Sequence, residues 1–208
     1  MKKRRKNSSP QCKITSPSAQ DQVGRVQRGT VDRSFSRTTY RKALPYLLRD
    51  FENRCAYSMV HHFNESGGLE VDHFDPRKKS HFVQEYSNLM PATRRCNGRK
   101  GDQWPTPEDI KQGFHFIDPT KEQDYGVQIF EDPVTHKLVG TTPAAKFQIR
   151  VLGLNDEFFV RQRLDRTRMR LLMSMPFLMH GNQTVESVKE QIGRMIPEIP
   201  PPPTVSAS

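Results

Sequence analysis

The residues able to carry chemistry are concentrated in one stretch, residues 69–102, which reads LEVDHFDPRKKSHFVQEYSNLMPATRRCNGRKGD. It holds an Asp-His pair (Asp72, His73), then Asn88, then Asn97, among many Lys and Arg residues. Carboxylate and amide oxygens are ligands that Mg²⁺ prefers, and an imidazole titrates near neutral pH. This order of residues predicts a metal-dependent phosphodiesterase centre, with the rest of the chain as its support.

Four side chains of the stretch suit the hydrolysis of a phosphodiester bond, which needs an activated water and neutralisation of charge. His73 is the candidate general base because its pKa lies near working pH. Asp72 and Asn97 are the candidate ligands of one divalent ion. Asn88 is expected to hold His73 in orientation through a hydrogen bond across the loop. Six cations are assigned to the substrate phosphates: Lys78, Lys79, Arg94, Arg95, Arg99 and Lys100.

Each of these residues also has an ordinary structural role open to it. Asn88 and the Asn97-Gly98 pair can shape turns, and the cations can form a solvated helix face. An isolated Asp-His pair is common in proteins. It is the combination of these residues in this order that favours catalysis.

Turn and periodicity signals put the stretch on a hairpin, a loop and a helix. Ser66-Gly67-Gly68 lies between two β-prone runs and predicts a hairpin turn. The second strand, residues 69–73, would carry Asp72 and His73 on opposite faces, because side chains alternate along a strand. After it we expect, in order, a polar loop (75–87), a short connection (88–90) and a helix (94–101).

The flanking segments are predicted to be mainly helical. Residues 37–53 have apolar side chains at helical spacing, and Pro45 either kinks this amphipathic helix or starts a new one. Asn155 is a suitable N-cap for a long helix over residues 156–175. Short strands are expected at 114–117, 127–130 and 137–139, with a turn at Asp132-Pro133-Val134-Thr135 between the last two, and a short helix is expected at 144–153.

Two faces of the predicted long helix can be distinguished from its sequence. A buried stripe is expected at Val160, Leu164, Leu171 and Met175. The second face carries three arginines, which we interpret as solvated surface, with a strip that contacts phosphates as the alternative: Arg163, Arg166 and Arg170.

The composition indicates one modest core with polar ends, in an α+β fold. The chain has 208 residues, 34% of them hydrophobic, and a mean hydropathy of −0.78. Such a chain buries limited apolar surface, so we expect disordered ends. We divide it into a disordered basic arm (1–33), a core with a leading helix and a short-strand extension (34–143), a helical region (144–196) and a disordered Pro-rich tail (197–208).

The positive charge is unevenly distributed and favours an anionic partner. The formal net charge is +10 and the pI about 9.7. Residues 1–30 hold eight Lys and Arg against one Asp, and residues 77–100 hold seven against one Glu. Charge on an arm and on the candidate centre is typical of nucleic-acid binding. For the arm alone, a solubilising role is the open alternative.

Cysteine usage and hydropathy predict a cytosolic protein. The three cysteines, Cys12, Cys55 and Cys96, do not suggest a secreted disulfide framework. No apolar run has the length of a membrane span, so no membrane partner is expected. The basic start, MKKRRKNSSP, lacks the apolar segment of a secretory signal.

Four short motifs of the chain resemble the HNH endonuclease family, whose fold is called ββα-metal. The resemblance implies that His73 is the general base and Asn88 the middle Asn of the family motif. It also implies that Asp72 and Asn97 hold the ion, Asn97 standing where the family has a last His or Asn. The motifs are Cys55-Ala-Tyr-Ser58, Glu70-Val71-Asp72-His73-Phe74-Asp75-Pro76, Tyr86-Ser87-Asn88-Leu89 and Arg95-Cys96-Asn97-Gly98-Arg99-Lys100-Gly101-Asp102.

Two departures from the family pattern bear on metals. Many relatives bind a structural Zn²⁺ through two Cys-x-x-Cys pairs, but the matching positions here are Cys55, Ser58, Thr93 and Cys96. Two thiolates and two hydroxyls are a poor zinc site, so we predict that this zinc is absent. Asn97 in place of His weakens transition-metal binding, which favours one Mg²⁺ or Mn²⁺.

Weaker similarities connect the chain with a bacterial subgroup of the family. Phe116-Ile117-Asp118-Pro119 and Leu152-Gly153-Leu154-Asn155 are similar to a subgroup that includes the nuclease subunit of Septu-type phage-defence systems. That resemblance implies an ATPase partner subunit. The sequence therefore predicts a metal-dependent DNA endonuclease of an anti-phage system, the alternative being a non-catalytic nucleic-acid-binding module. RNA as substrate, sequence preference, strand preference, trigger and oligomeric state stay open.

Overall fold

Short strands and helices alternate along the chain in an α+β arrangement. The computed structural model describes residues 24–173, Glu190 and Ile199. Most of the tails predicted to be disordered lie outside these residues. The strands are β1 (Phe35–Ser36), β2 (Glu70–His73), β3 (Val83–Gln84), β4 (Leu89–Ala92), β5 (Ile129–Glu131) and β6 (Leu138–Gly140); the helices are α1 (Leu44–Asp50), α2 (Arg94–Lys100), α3 (Pro107–Lys111), α4 (Pro143–Val151) and α5 (Glu157–Met173).

The centre of the fold is an antiparallel pair of strands followed by a helix. β2 pairs with β4 over four residues, with His73 opposite Leu89. The hydroxyl of Thr93 accepts a hydrogen bond from the backbone N–H of Cys96 and so caps α2 at its start. The helix α2 lies within one residue of its predicted range. Strand, strand and helix form the ββα unit that carries the candidate site.

The partner of β2 differs from the prediction. We expected a hairpin closed by the turn at 66–68, with residues 88–90 as a mere connection. The run before that turn is a 3₁₀ turn, His62–Asn64, and not a strand. Gly67 and Gly68 adopt positive φ values of 82° and 77°, which only Gly adopts readily, so the chain closes a tight loop there. β2 pairs instead with β4, all four residues of which are buried.

Two more two-stranded sheets flank the central pair. β1 pairs with β3, and β5 pairs with β6 in the hairpin predicted from its Asp-Pro turn. Residues 114–117 do not form the expected strand. Pro45 lies in the first turn of α1, directly after a 3₁₀ turn at Tyr40–Ala43, so it starts a new helix. None of the helices in the described residues has the length and apolar character needed to cross a membrane.

The most deeply buried residues of α5 are not those of the predicted stripe, in which Val160 and Leu164 are partly buried and Met175 lies outside the described residues. Phe159 and Arg163 are 1% and 2% exposed, whereas Leu171 is 60% exposed. Arg163 donates hydrogen bonds from Nε to the carbonyl of His136 (2.6 Å) and from Nη2 to that of Leu154 (2.9 Å). The interpretation of Arg163 as solvated surface is therefore wrong, because the side chain satisfies carbonyl groups beneath the helix.

Two neighbouring contacts join α5 to the β5–β6 hairpin. Arg166 donates to the carboxylate of Glu131. The side-chain amide of Asn155 bonds to both backbone groups of Leu138, at 2.6 and 2.9 Å. Asn155 thus ties the hairpin to the start of α5, and Glu157 is the first residue of that helix.

Residues 24–33 belong to the folded part, although they were assigned to a disordered arm. Arg25 forms a bidentate ion pair with Asp124, at 2.6 and 2.9 Å, and Asp124 is fully buried. Arg28 donates to the carbonyls of Tyr86 (3.0 Å) and Leu89 (2.9 Å), at the start of β4. The predicted boundary at residue 33 is therefore about ten residues too late.

Candidate active site

The side chains of Asp72 and His73 on β2 lie on opposite sides of the central strand pair, as the alternation of strand side chains predicts. On one side, His73 meets Gln84 of β3 and the ring of Tyr40. On the other side, Asp72 meets Tyr57 and Lys100. The candidate base and the candidate metal ligand therefore have separate surroundings.

The His73 imidazole is held by a glutamine amide. Its Nε2 lies 2.6 Å from Oε1 of Gln84. The Nε2 amide nitrogen of Gln84 donates to the carbonyl of His81 and, at 3.4 Å, to that of Lys79, which fixes the amide orientation. Because Oε1 can only accept, Nε2 of the neutral imidazole carries the hydrogen and Nδ1 carries the lone pair.

Packing favours the neutral form of this imidazole. His73 is buried, and its ring lies 4.6 Å from that of Tyr40, centroid to centroid. Burial lowers the pKa of His73 from its usual value, and the hydrogen bond to Gln84 opposes that change only in part. A neutral imidazole with a free lone pair is the form in which histidine accepts a proton.

Asn88 bridges the loop that follows β2. Its Oδ1 accepts from the backbone N–H of Asp75 at 2.8 Å, and its Nδ2 donates to the carbonyl of Asp75 at 3.1 Å. The backbone N–H of Phe74 also donates to the carbonyl of Asn88. Asn88 thus contacts the residues just after His73, and it acts on the base through the backbone and not by direct contact.

Asp72 lies in a buried polar cluster. Its Oδ2 accepts from the hydroxyl of Tyr57 at 2.6 Å and lies 3.0 Å from Nζ of Lys100. The same ammonium is 3.3 Å from Oδ1 and donates to the carbonyl of His73 at 2.6 Å. Burial raises the pKa of Asp72, against the opposing effects of Lys100 and Tyr57. Burial and the nearby carboxylate raise the pKa of Tyr57, which keeps it a donor.

Asn97 lies elsewhere, near the surface. Its Nδ2 donates to Oε2 of Glu70 at 3.0 Å, at the opposite end of β2 from His73. Both oxygens of Asp72 are already engaged by an ammonium and a hydroxyl, so a divalent ion would have to displace Lys100 to reach them. Within the described residues, no group of three or more His, Cys, Asp and Glu side chains gathers as a metal site. As arranged here, Asp72 and Asn97 do not fit one shared ion.

The six predicted phosphate-binding cations are dispersed. Lys100 is fully buried and is not available to a substrate. The other five are at least partly exposed, and four of them have visible contacts. Arg99 pairs with Asp156, Arg95 lies over the ring of Phe158 at 4.3 Å, Lys78 pairs with Glu85 at 3.1 Å, Lys79 pairs with Asp102, and Arg94 is exposed.

Sequence reasoning missed the residues that surround the base. Gln84 lies in the segment 75–87, which the sequence predicts to be a polar loop. A single Gln in such a loop does not indicate a contact with a catalytic residue. Tyr40 is one of the apolar side chains that predict the helix at 37–53, and this pattern does not indicate its contact with His73. Three exposed cations close to Tyr40 in sequence were also passed over: Arg37, Arg41 and Lys42.

The four positions that correspond to the family's zinc ligands do come together. The Sγ of Cys55 accepts backbone N–H groups of Ser58 and Thr93, each at 3.4 Å. Cys55 and Cys96 are free and buried. Burial alone would raise the pKa of Cys55, but hydrogen bonds from Cys96, Ser58 and Thr93 outweigh burial and lower this pKa. The absence of zinc here stays a prediction.

Comparison with known proteins agrees with the ββα geometry. Residues 53–103 match the family model described as HNH endonuclease. Over 146 residues, 69% of this chain, the sequence is 30% identical to the Septu protein PtuB of Bacillus thuringiensis. The match covers 48% of that relative, so the chain spans about half the length of the curated protein it resembles. No solved structure gave a significant match.

Proposed function

Since residues 53–103 form a domain of the HNH endonuclease family, we propose that this chain hydrolyses phosphodiester bonds of DNA with His73 as general base. One observation carries the proposal. The contact of 2.6 Å between His73 Nε2 and Gln84 Oε1 leaves Nδ1 as the proton acceptor. A neutral, oriented imidazole is what a general base needs, and a protein that only binds DNA needs none.

The proposed reaction uses three supports for this base. Nδ1 accepts a proton from the attacking water as the water oxygen bonds to phosphorus. The bond from phosphorus to the leaving oxygen breaks in line, and the leaving oxygen takes a proton from solvent. Gln84 orients the ring, Lys100 holds the His73 carbonyl, and Asn88 holds the next turn of the loop. Catalysis of this kind gains much of its rate from such fixed geometry. Exposed cations near the base supply charge for the phosphates.

HNH nucleases generally use divalent metals, and the sequence favours one Mg²⁺ or Mn²⁺ at Asp72 and Asn97. Such an ion would neutralise charge on the phosphate and the leaving oxygen. The buried pair of Asp72 with Lys100 argues against Asp72 as an open ligand. Asp72 and Asn97 therefore take no part in the proposed proton transfer, and cleavage with a divalent ion or with EDTA tests the metal requirement.

A role in anti-phage defence is part of the proposal. The similarity to the Septu protein PtuB supports it, as does the HNH domain shared with nucleases of that kind. A partner ATPase follows from the same similarity and is proposed on that ground.

The test is a cleavage assay on labelled duplex DNA, single-stranded DNA and RNA. The full chain is incubated with Mg²⁺, with Mn²⁺ or with EDTA, alone and together with any ATPase encoded beside it. We expect DNA cleavage with a divalent ion and none with EDTA. Binding of DNA without cleavage under every condition would favour the non-catalytic alternative.

A further inference from the structure

A large apolar side chain is exposed beside the candidate base. Phe82 is 82% exposed, and its neighbour Val83 is 60% exposed. Gln84, which follows, is buried and contacts the His73 imidazole. Because consecutive Cα atoms are about 3.8 Å apart, the Cα of Phe82 lies within roughly 8 Å of that of Gln84. The residue that carries this exposed ring is therefore two positions from the side chain that orients the candidate base.

The backbone of Phe82 is held in place. Its carbonyl accepts a hydrogen bond of 3.1 Å from the N–H of Arg37, which extends the pairing of β1 and β3 by one step. Ser36 lies opposite Val83, and Phe35 lies opposite Gln84. The ring is thus presented to solvent from a paired strand end. A single exposed apolar residue is ordinary. Phe82 differs because its backbone is held by pairing with β1 and it lies two residues from Gln84, so its position allows a contact with the substrate.

The segment that pairs with Phe82 and contacts His73 also carries cations and an aromatic ring. The guanidinium of Arg41 lies 5.1 Å from the ring centroid of Tyr40, and that ring packs against His73. Arg37 and Lys42 are exposed on the same segment. Mixed surfaces of aromatic rings and guanidinium groups bind nucleic acids with unstacked bases, since every base has a face for stacking. In an intact duplex those faces are covered by neighbouring bases.

We infer that Phe82 is a stacking platform for an unpaired base next to the scissile phosphate. The site then takes DNA that is single-stranded or locally unpaired in preference to intact duplex. This inference rests on the proposed function and names its substrate class. A protein partner covering Phe82 is the competing occupant, and the test below separates the two.

Binding is measured by fluorescence anisotropy with the full chain in EDTA, so that no cleavage occurs. The probes are a single strand, the matching duplex, and the same duplex with a short unpaired gap. The variants are Phe82→Ala, Phe82→Leu and Phe82→Trp. Phe63→Ala is the matched control, because Phe63 is 85% exposed and its ring lies against His61 and His62.

The inference predicts that Phe82→Ala weakens binding of the single strand and the gapped duplex by roughly 5- to 150-fold, the range for loss of one stacked base. Binding of intact duplex changes little. Phe82→Trp keeps the affinity of the parent for the unpaired probes, whereas Phe82→Leu binds them as weakly as Phe82→Ala does. Phe63→Ala binds them as the parent does.

Three results overturn the inference. The first is that Phe82→Ala binds the unpaired probes as tightly as the parent does, and the second is that Phe82→Leu binds them as tightly as the parent does. In the third, Phe82→Ala loses a co-purifying protein but keeps its affinity for DNA. In each case the parent still binds and cuts DNA, so the proposed function stands. A parent that binds and cuts no nucleic acid overturns both.

Discussion

The ammonium of Lys100 lies 3.0 Å from the carboxylate of Asp72, and both side chains are shielded from solvent. Lys100 is the last residue of α2, and Asp72 precedes the candidate base on β2. The pair therefore joins the end of the helix to the strand beside the reacting centre. Its ammonium also holds the His73 carbonyl. This makes Lys100 a positioning residue, whereas the sequence suggested a phosphate ligand.

Replacing Lys100→Met should destabilise the fold strongly. The change keeps the length of the side chain but leaves the Asp72 carboxylate buried without its cation, which costs about 3–5 kcal/mol. Urea unfolding monitored by circular dichroism measures the loss. Lys78→Met is the matched control, because its pair with Glu85 is exposed and should contribute less than about 1 kcal/mol. Equal stability of the two variants would show that Lys100 is not a structural cation.

Magnesium alone should stabilise the parent little. A preformed site with the ion at 100 times its Kd would add about 2.7 kcal/mol to the free energy of unfolding. Because Lys100 already neutralises Asp72, we expect less than about 0.5 kcal/mol at millimolar Mg²⁺, a small fraction of that value. Thermal unfolding with and without Mg²⁺ checks this. Lys100→Met should gain more from Mg²⁺ than the parent does, and a large gain by the parent would contradict our view of Asp72.

Gln84→Leu should slow cleavage without weakening DNA binding. Loss of the partner that orients a metal-binding histidine typically lowers activity about 10- to 100-fold, and we expect a loss of similar size for this oriented imidazole. Single-turnover kinetics measure the rate, and nitrogen NMR of the imidazole should show Nε2 protonated in the parent and a mixture of tautomers in the variant. Gln103→Leu is the control, since Gln103 is exposed and its side chain, among the described contacts, donates only to the carbonyl of Arg99. An unchanged rate with an unchanged tautomer would remove Gln84 from the mechanism.

Arg25→Ala should destabilise the fold, although its position was assigned to a disordered arm. The change leaves Asp124 fully buried without its guanidinium partner, at a cost of about 3 kcal/mol. Denaturant unfolding measures the loss, with Arg168→Ala as the control because its pair with Asp165 is exposed. If both variants unfold at the same denaturant concentration, residues 24–33 do not help to hold the domain together.

Local patterns were sufficient for part of the fold. Alternation along β2 put Asp72 and His73 on opposite faces, and the range 94–101 located α2 to within one residue. Pro45 at the start of α1 and the Asp-Pro turn between β5 and β6 follow from turn and helix-start preferences. These features depend on neighbours within a few residues, which a sequence displays directly.

Contacts between distant residues were not predictable in the same way. A strand pattern does not say which segment pairs with it, and 89–92 contains a Pro that weakens the strand signal. Lys100 and Arg163 have charges that favour solvent, and each is buried against groups that include partners 27 or 28 residues away. Gln84 acquires its role through the folding of β3 against β1. Burial of charge and choice of partner are properties of the assembled fold.

The measurement that tests the central claim most directly is single-turnover cleavage of DNA by His73→Ala, with binding measured on the same protein. His81→Ala is the matched control, because that histidine is exposed and contributes its backbone carbonyl to Gln84. We predict that His73→Ala binds DNA as the parent does and cuts it at least about 100-fold more slowly, the lower limit for loss of a general base. Cleavage by His73→Ala at the rate of the parent would contradict the account.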